Sequence, residues 1–236
     1  MDKQFPKVAL LFFSRSPGTE ANCKHLTYPL KKRSNTRVAE ALIRHTQQQI
    51  IESGLPCFIF DEKRQRGSTF AERFTNAFEV VFAKGFEHII AIGNDTPGLK
   101  TDHLIHATRR LTSGKADIVL GPATDGGTWL TGYSRHAFDA DAFCGLPWNS
   151  PDLLDETLRR SPQNCTITLL EEFADIDDHA SLQQFVNTLY GDWSLAGLAR
   201  LIQSVLSGNG FPSVEIVHSH FLNLFFKSHL LRAPPL

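Results

Sequence analysis

Two short segments carry the residues best suited to chemistry. Gly93-Asn94-Asp95-Thr96-Pro97-Gly98 and Gly121-Pro122-Ala123-Thr124-Asp125-Gly126-Gly127 each set one aspartate among glycine, proline and small residues. Carboxylates are hard oxygen ligands, and Mg²⁺ or Mn²⁺ usually takes one or two of them while keeping water and substrate phosphate. Gly126-Gly127 fits the same picture, because a backbone without Cβ lets a ligand come close. Taken singly, either aspartate is equally a turn residue, since Asp in Pro- and Gly-containing turns caps local amides.

Asp175, Asp177 and Asp178 form a third acidic group. Asp178 stands where a helix N-cap belongs. Asp177 is more open to a metal role, although acidic residues ahead of a helix also complement its dipole. Ser14-Arg15-Ser16-Pro17-Gly18 is short and polar enough to wrap a base or a phosphate, yet it is neither a Walker loop nor a dinucleotide fingerprint. Arg37 is the better phosphate candidate among the nearby cations, while Lys31 and Lys32 read as a solvated face. The ten histidines show no metal-ligand spacing, and no nucleophile elbow or Cys/His pairing stands out.

The elements that must position these residues alternate between strand and helix. Val8–Phe13 is a continuous apolar run, as expected of a strand covered on both faces. Residues 14–33 read as a long polar loop, followed by a helix over Asn35–Glu52 that stops at Gly54. Pro56–Phe60 reads as a strand. Thr69 and Glu72 predict a capping box, with Phe70, Phe74, Phe78 and Val81 at helical spacing behind it. His88–Ile92 and Asp117–Leu120 read as strands flanking a helix over Thr101–Ser113, and Thr128–Tyr133 re-enters the sheet. Ser150-Pro151-Asp152 predicts a helix start with proline at the first helical position. A strand over Cys165–Leu170, helices after Asp178 and over Ser194–Leu206, and a late strand at Val214–Val217 complete the reading.

Strands separated by helices imply right-handed βαβ units. The expected fold is therefore a Rossmann-like three-layer α/β/α domain with a mostly parallel mixed sheet, over residues 1–190, with a C-terminal extension from 191. In such sheets ligands bind beyond the carboxyl ends of the strands. That rule gathers Ser14, Arg15, Pro17, Gly18, Asn94, Asp95 and Asp125 at one crevice, with Asp95 and Asp125 expected at neighbouring strand ends.

Bulk properties narrow the function classes. A net charge of −1 provides no footprint for nucleic acid or an anionic membrane. The four scattered cysteines favour neither zinc nor a disulfide framework. No apolar stretch approaches the roughly 20 residues that span a bilayer, and the start reads as a first strand rather than a signal peptide. The expectation is a cytoplasmic protein with no nucleic-acid or membrane partner. The apolar Phe221–Phe226 stretch would be a liability if exposed, so it packs on the core or at a homodimer contact.

Ala91–Leu99 and Asp117–Gly127 resemble a bacterial glycosyltransferase-A-like family, that of the selenodomain-associated or arsenosugar-biosynthesis-type transferases. That family reads G-x-D-x-P-x-L and then L-G-P-A-x-D-G-G-Y. Gly145-Leu146-Pro147-Trp148-Asn149-Ser150 is similar to its next landmark, Asp175-Ile176-Asp177 to its D-x-D, and Gln65–Arg73 to its glycine-containing turn. Two departures stand out: a longer first loop before Asn35-Thr36-Arg37-Val38, and Thr128-Trp129 in place of the aromatic after D-G-G. The resemblance implies a nucleotide-diphospho-sugar transferase (GT-A type) fold, with Asp95 and Asp177 as ligands of Mg²⁺ or Mn²⁺. It implies Ser14, Arg15, Pro17, Gly18, Arg37 and Asn94 on the donor side, and Gly126, Gly127 and Trp148 on the acceptor side. Asp125 is the candidate catalytic residue. The expected activity is glycosyl transfer from a nucleotide sugar to a small acceptor. Nucleotidyl transfer from a nucleoside triphosphate, and a non-catalytic nucleotide-binding member, are the alternatives.

Overall fold

The computed structural model describes residues 7–29, 31–188 and 195–207. Within them a six-stranded sheet runs in the order β2-β1-β3-β5-β4-β6. The strands are β1 (Val8–Phe13), β2 (Cys57–Phe60), β3 (His88–Ile92), β4 (Ile118–Pro122), β5 (Thr128–Ser134) and β6 (Ile167–Leu169). All neighbours are parallel except β5, which is antiparallel to both β3 and β4. Five residues separate β4 from β5, far fewer than the dozen or so that a parallel crossover needs, so the chain must fold back as a hairpin.

This strand order corrects one expectation. The ends of β3 and β4 are not neighbours, because β5 lies between them. Both still point the same way, so Asp95 and Asp125 share one edge of the sheet.

Helices cover both faces. Alternate residues of β1 explain why its whole run is apolar. Leu10 and Phe12 face a cluster with Ile43 and Ile50 of α2 (Lys32–Ser53) and Leu104, Ala107 and Leu111 of α4 (Thr101–Thr112). Ala9 and Leu11 face the other cluster, with Phe74, Phe78 and Val81 of α3 (Phe70–Phe82) and Phe143 of α5 (Ala140–Cys144). The capping box on α3 forms as expected: Thr69 Oγ accepts from the Glu72 amide, and the Glu72 carboxylate accepts from the Ser68 and Thr69 amides.

Three local readings change. Residues 14–33 are not one loop, because Pro17–Cys23 forms α1 and α2 starts at Lys32 rather than Asn35. With Glu20 and Ala21 as its buried residues, α1 has too little apolar pattern to announce itself. The helix expected at Ser150-Pro151 begins later, as α6 (Leu153–Arg160), and Ser150 and Pro151 stay in the preceding turn. After α7 (His179–Thr188), α8 (Ala196–Leu206) adds Ile202 and Val205 to a third cluster with Val38, Ala39 and Leu42 of α2. The expected strand at Val214–Val217 and the Phe221–Phe226 stretch lie outside the described residues.

Candidate active-site cleft

At the carboxyl edge of the sheet lies a cavity of about 600 Å³. Its walls come from segments far apart in sequence. The first is Ser14–Arg15, leaving β1. The Ser14 amide donates to Phe60 O, and Gln65 Nε2 donates to both Ser14 O (3.1 Å) and Phe60 O (3.0 Å), so a side chain from the β2–α3 connection fixes the loop. Arg15 Nη1 reaches Glu20 Oε2 at 3.2 Å, within the same wall. At the rim Glu62 accepts from the Ser16 amide and from the Ser16 and Thr19 hydroxyls, with Ser16 Oγ first in effect. These bonds pull its carboxyl down to about 2.

An acidic pole forms the second wall. Beyond β6 the chain runs beside the β4–β5 hairpin, with Phe173 N–H donating to Pro122 O and Thr124 N–H to Phe173 O. It then crosses to the β3 side, where the Ile176 amide donates to Asp95 O at 2.8 Å. Ile176 is buried among Leu26, Val38 and Leu182, and its flanking neighbours Asp175 and Asp177 line the cleft. Thr96 Oγ1 donates to Asp175. Burial first, and then the negative charges of Asp95, Asp125 and Asp177, push the Asp175 carboxyl up to about 7, against the Thr96 bond.

Lys24 stands at the centre of this pole. Its Nζ lies 2.7 Å from Asp177 Oδ1, 2.9 Å from Asp95 Oδ2 and 3.6 Å from Glu20 Oε1, and it donates to Ile176 O at 3.1 Å. Burial alone would lower its pKa, but Asp95 and Asp177 more than offset that and hold the ammonium charged above the usual lysine range. Asn35 fixes the backbone that carries it. The Asn35 Oδ1 accepts from the Leu26 and Thr27 amides, and its Nδ2 donates to Ala21 O and Lys24 O. Asn35 is fully buried and all four bonds are made, so the 21–27 segment cannot drift without leaving a buried amide unpaired.

A further wall is aromatic. Trp148 packs its ring against Phe143 at 4.8 Å, Phe74 at 5.0 Å and Phe70 at 5.8 Å, and its Nε1 donates to Phe143 O. Phe13, Phe70, Phe74 and Trp148 therefore present ring surface to the cavity that Asp95 also lines, with Arg73 among them.

The structure brings together Ser14, Arg15, Asn94, Asp95, Asp125, Gly127, Trp148 and Asp177 among the expected site residues. It does not bring Pro17, Gly18, Arg37 or Gly126 to the cavity wall. Pro17 and Gly18 are the first residues of α1, and Arg37 lies on α2. Gly126 serves packing instead: at φ +87° a Cβ there would stand 1.9 Å from Pro151 O, so the glycine admits the 150–154 turn rather than a ligand. Lys24 and Glu20 are lining residues that the sequence did not single out, and Asp175 and Gln65, noted there only within longer motifs, line the cavity as well.

Five carboxylates line the cavity, against Lys24, Arg15 and Arg73. Among the described residues no three His, Cys, Asp or Glu side chains converge into a ready-made metal cage. Asp95 and Asp177 do converge, with Lys24 Nζ now at their meeting point. Two carboxylates open to solvent and substrate suit Mg²⁺ or Mn²⁺, which retains other ligands, rather than zinc. The donor set fits such an ion once Lys24 has left that point.

The fold is that of the nucleotide-diphospho-sugar transferases, the Rossmann-like GT-A type. Residues 37–150 match the profile of a family described as "Uncharacterized protein conserved in bacteria (DUF2064)". The chain is similar in structure to a Desulfovibrio desulfuricans protein provisionally named a nucleotide-diphospho-sugar transferase, with a TM-score of 0.74 and 20% identity over 88% of this chain and 100% of that one. A weaker likeness, with a TM-score of 0.46 and 14% identity over 83% and 98%, links it to the Mycobacterium sp. strain JC1 homologue of Mycobacterium tuberculosis Rv0371c. CMP:2-keto-3-deoxy-manno-octonic acid synthetase complexed with CTP gives 0.45 and 10% over 75% and 96%. No curated protein matches the chain. No described helix is long and apolar enough to cross a membrane.

Proposed function

We propose that the chain transfers a glycosyl group from a nucleotide sugar to a small acceptor, with Mg²⁺ or Mn²⁺ held by Asp95 and Asp177. The observation that carries this reading is the division of one cleft into an acidic pole and an aromatic wall. The bound ion would neutralise charge building on the leaving diphosphate. Arg15, on the β1 loop, offers the donor phosphates a guanidinium. Trp148 and Phe70 offer flat apolar surface to a sugar ring or acceptor body.

Asp125 is the candidate base. Its Oδ1 accepts from the Gly127 amide at 2.9 Å, which holds the carboxylate at the hairpin tip. In the proposed step the acceptor hydroxyl gives its proton to Asp125 as its oxygen bonds to the anomeric carbon. The bond from that carbon to the diphosphate oxygen breaks, and nucleoside diphosphate leaves. The resemblance of Ala91–Leu99 and Asp117–Gly127 to the selenodomain-associated and arsenosugar-type transferases supports the same assignment.

Lys24 favours a second reading. A lysine from the region after β1, with its ammonium inside the cleft, is the cation that nucleotidyl transfer from a triphosphate would call for. One assay separates the two. Incubation with Mn²⁺ and panels of nucleotide sugars and nucleoside triphosphates should release nucleoside diphosphate from one sugar nucleotide. Pyrophosphate release from a triphosphate, with a sugar phosphate present, would replace the first reading by the second.

A further inference from the structure

We infer that Lys24 occupies the cation point in the free protein, so that its ammonium must withdraw before a divalent ion can enter; this rests on the proposed metal site. Asp95 Oδ2 and Asp177 Oδ1 both bond Lys24 Nζ, at 2.9 and 2.7 Å. A magnesium ion would need those oxygens at about 2.0–2.1 Å, so ion and ammonium cannot share the position. The competition is strong because the lysine side chain is only 14% exposed and its charge is poorly screened.

The geometry also says how the exchange proceeds. Asn35 Nδ2 on Lys24 O and the Lys24 amide on Glu20 O hold the backbone. The side chain is a four-carbon stem with a rotatable head, so the ammonium alone can move. Leaving Asp95 and Asp177, it loses two anionic partners while still in the cleft. A donor diphosphate supplies replacements. Metal and nucleotide therefore assist each other's binding, by the same factor in each direction. The free protein takes up divalent metal poorly, and Lys24 is a positioning residue that admits the ion only with its phosphates.

Mn²⁺ binding, followed by the EPR signal of the free ion, tests this without turnover. Wild type, Lys24→Met, Lys24→Gln and Asp95→Asn are compared without nucleotide, each checked for cooperative unfolding. Both Lys24 variants should bind Mn²⁺ at least about ten-fold more tightly than wild type, as expected for removing a close competing charge, and Asp95→Asn should bind least. In wild type, UDP or GDP should raise Mn²⁺ affinity beyond formation of the Mn²⁺–nucleotide complex, an arm that needs no folded variant. Lys24 variants no tighter than wild type, with Asp95→Asn still deficient, would overturn the inference and leave the metal reading standing. The same holds for wild-type Mn²⁺ affinity that neither nucleotide changes. Absence of Mn²⁺ binding in every protein, with nucleotide bound normally, would remove the metal reading and the inference together.

Discussion

Replacing Gly126 by alanine should destabilise the protein by about 3 kcal/mol, for reasons that can be worked atom by atom. Gly126 has φ +87°, and an L-residue in left-handed conformation costs roughly 1–2 kcal/mol. The added Cβ would meet Pro151 O at 1.9 Å, and the obstacle is backbone, which cannot rotate away. Parting the hairpin from the 150–154 turn strains the Leu154 N–H to Gly126 O bond of 3.0 Å. Such a bond is worth about 0.5–1.5 kcal/mol. Two other glycines serve as controls. A Cβ at Gly18 meets nothing within 4 Å, so Gly18→Ala in α1 should be neutral or slightly stabilising. At Gly127 the nearest atom is Asp125 Oδ1 at 3.0 Å, the end of a side chain that can turn aside. Urea unfolding of the three variants gives the numbers. A Gly126→Ala loss below about 1 kcal/mol, with an unchanged m-value, would refute the claim that this glycine is required for packing.

Other consequences follow from the same contacts. Asp175, with its carboxyl raised to about 7, binds a proton in the folded state that it releases near pH 4 when unfolded. Its contribution is therefore complete below about pH 4 and lost as pH rises through about 7. In EDTA, urea unfolding at pH 5 and pH 8 should show Asp175→Asn losing less stability than wild type over that interval; equal losses would contradict the assignment. Thr69→Ala removes the acceptor for the Glu72 amide and should cost about 1 kcal/mol in the same assay, with no change in Mn²⁺ affinity.

Much of the frame was legible because it is local. The unbroken apolar run of β1, the spacing of Phe70, Phe74 and Phe78, and the Thr69/Glu72 cap each follow from neighbouring residues. The carboxyl-end rule points to Asp95 and Asp125, and both line the cavity at one edge of the sheet although β5 lies between their strands. What escaped depends on tertiary contacts. Lys24 reads as one cation in a polar stretch until Asn35, eight and nine residues away from its bonded amides, folds the 21–27 segment back onto α2. Arg37 reads as the better phosphate ligand because it enters a helix, and on α2 it lies outside the cavity lining. Asp175 reads as one of three acidic neighbours, whereas its burial and the Thr96 bond give it an environment unlike theirs. Gly126 reads as room for a ligand, but Pro151 fills that room.

The most direct test of the central claim is nucleotide-sugar binding by calorimetry, with and without Mn²⁺, to wild type and Asp95→Ala. The account predicts that one nucleotide sugar binds wild type far more tightly with Mn²⁺ present, and that this enhancement disappears in a folded Asp95→Ala protein. Equal binding with and without Mn²⁺, or full enhancement in Asp95→Ala, would contradict it.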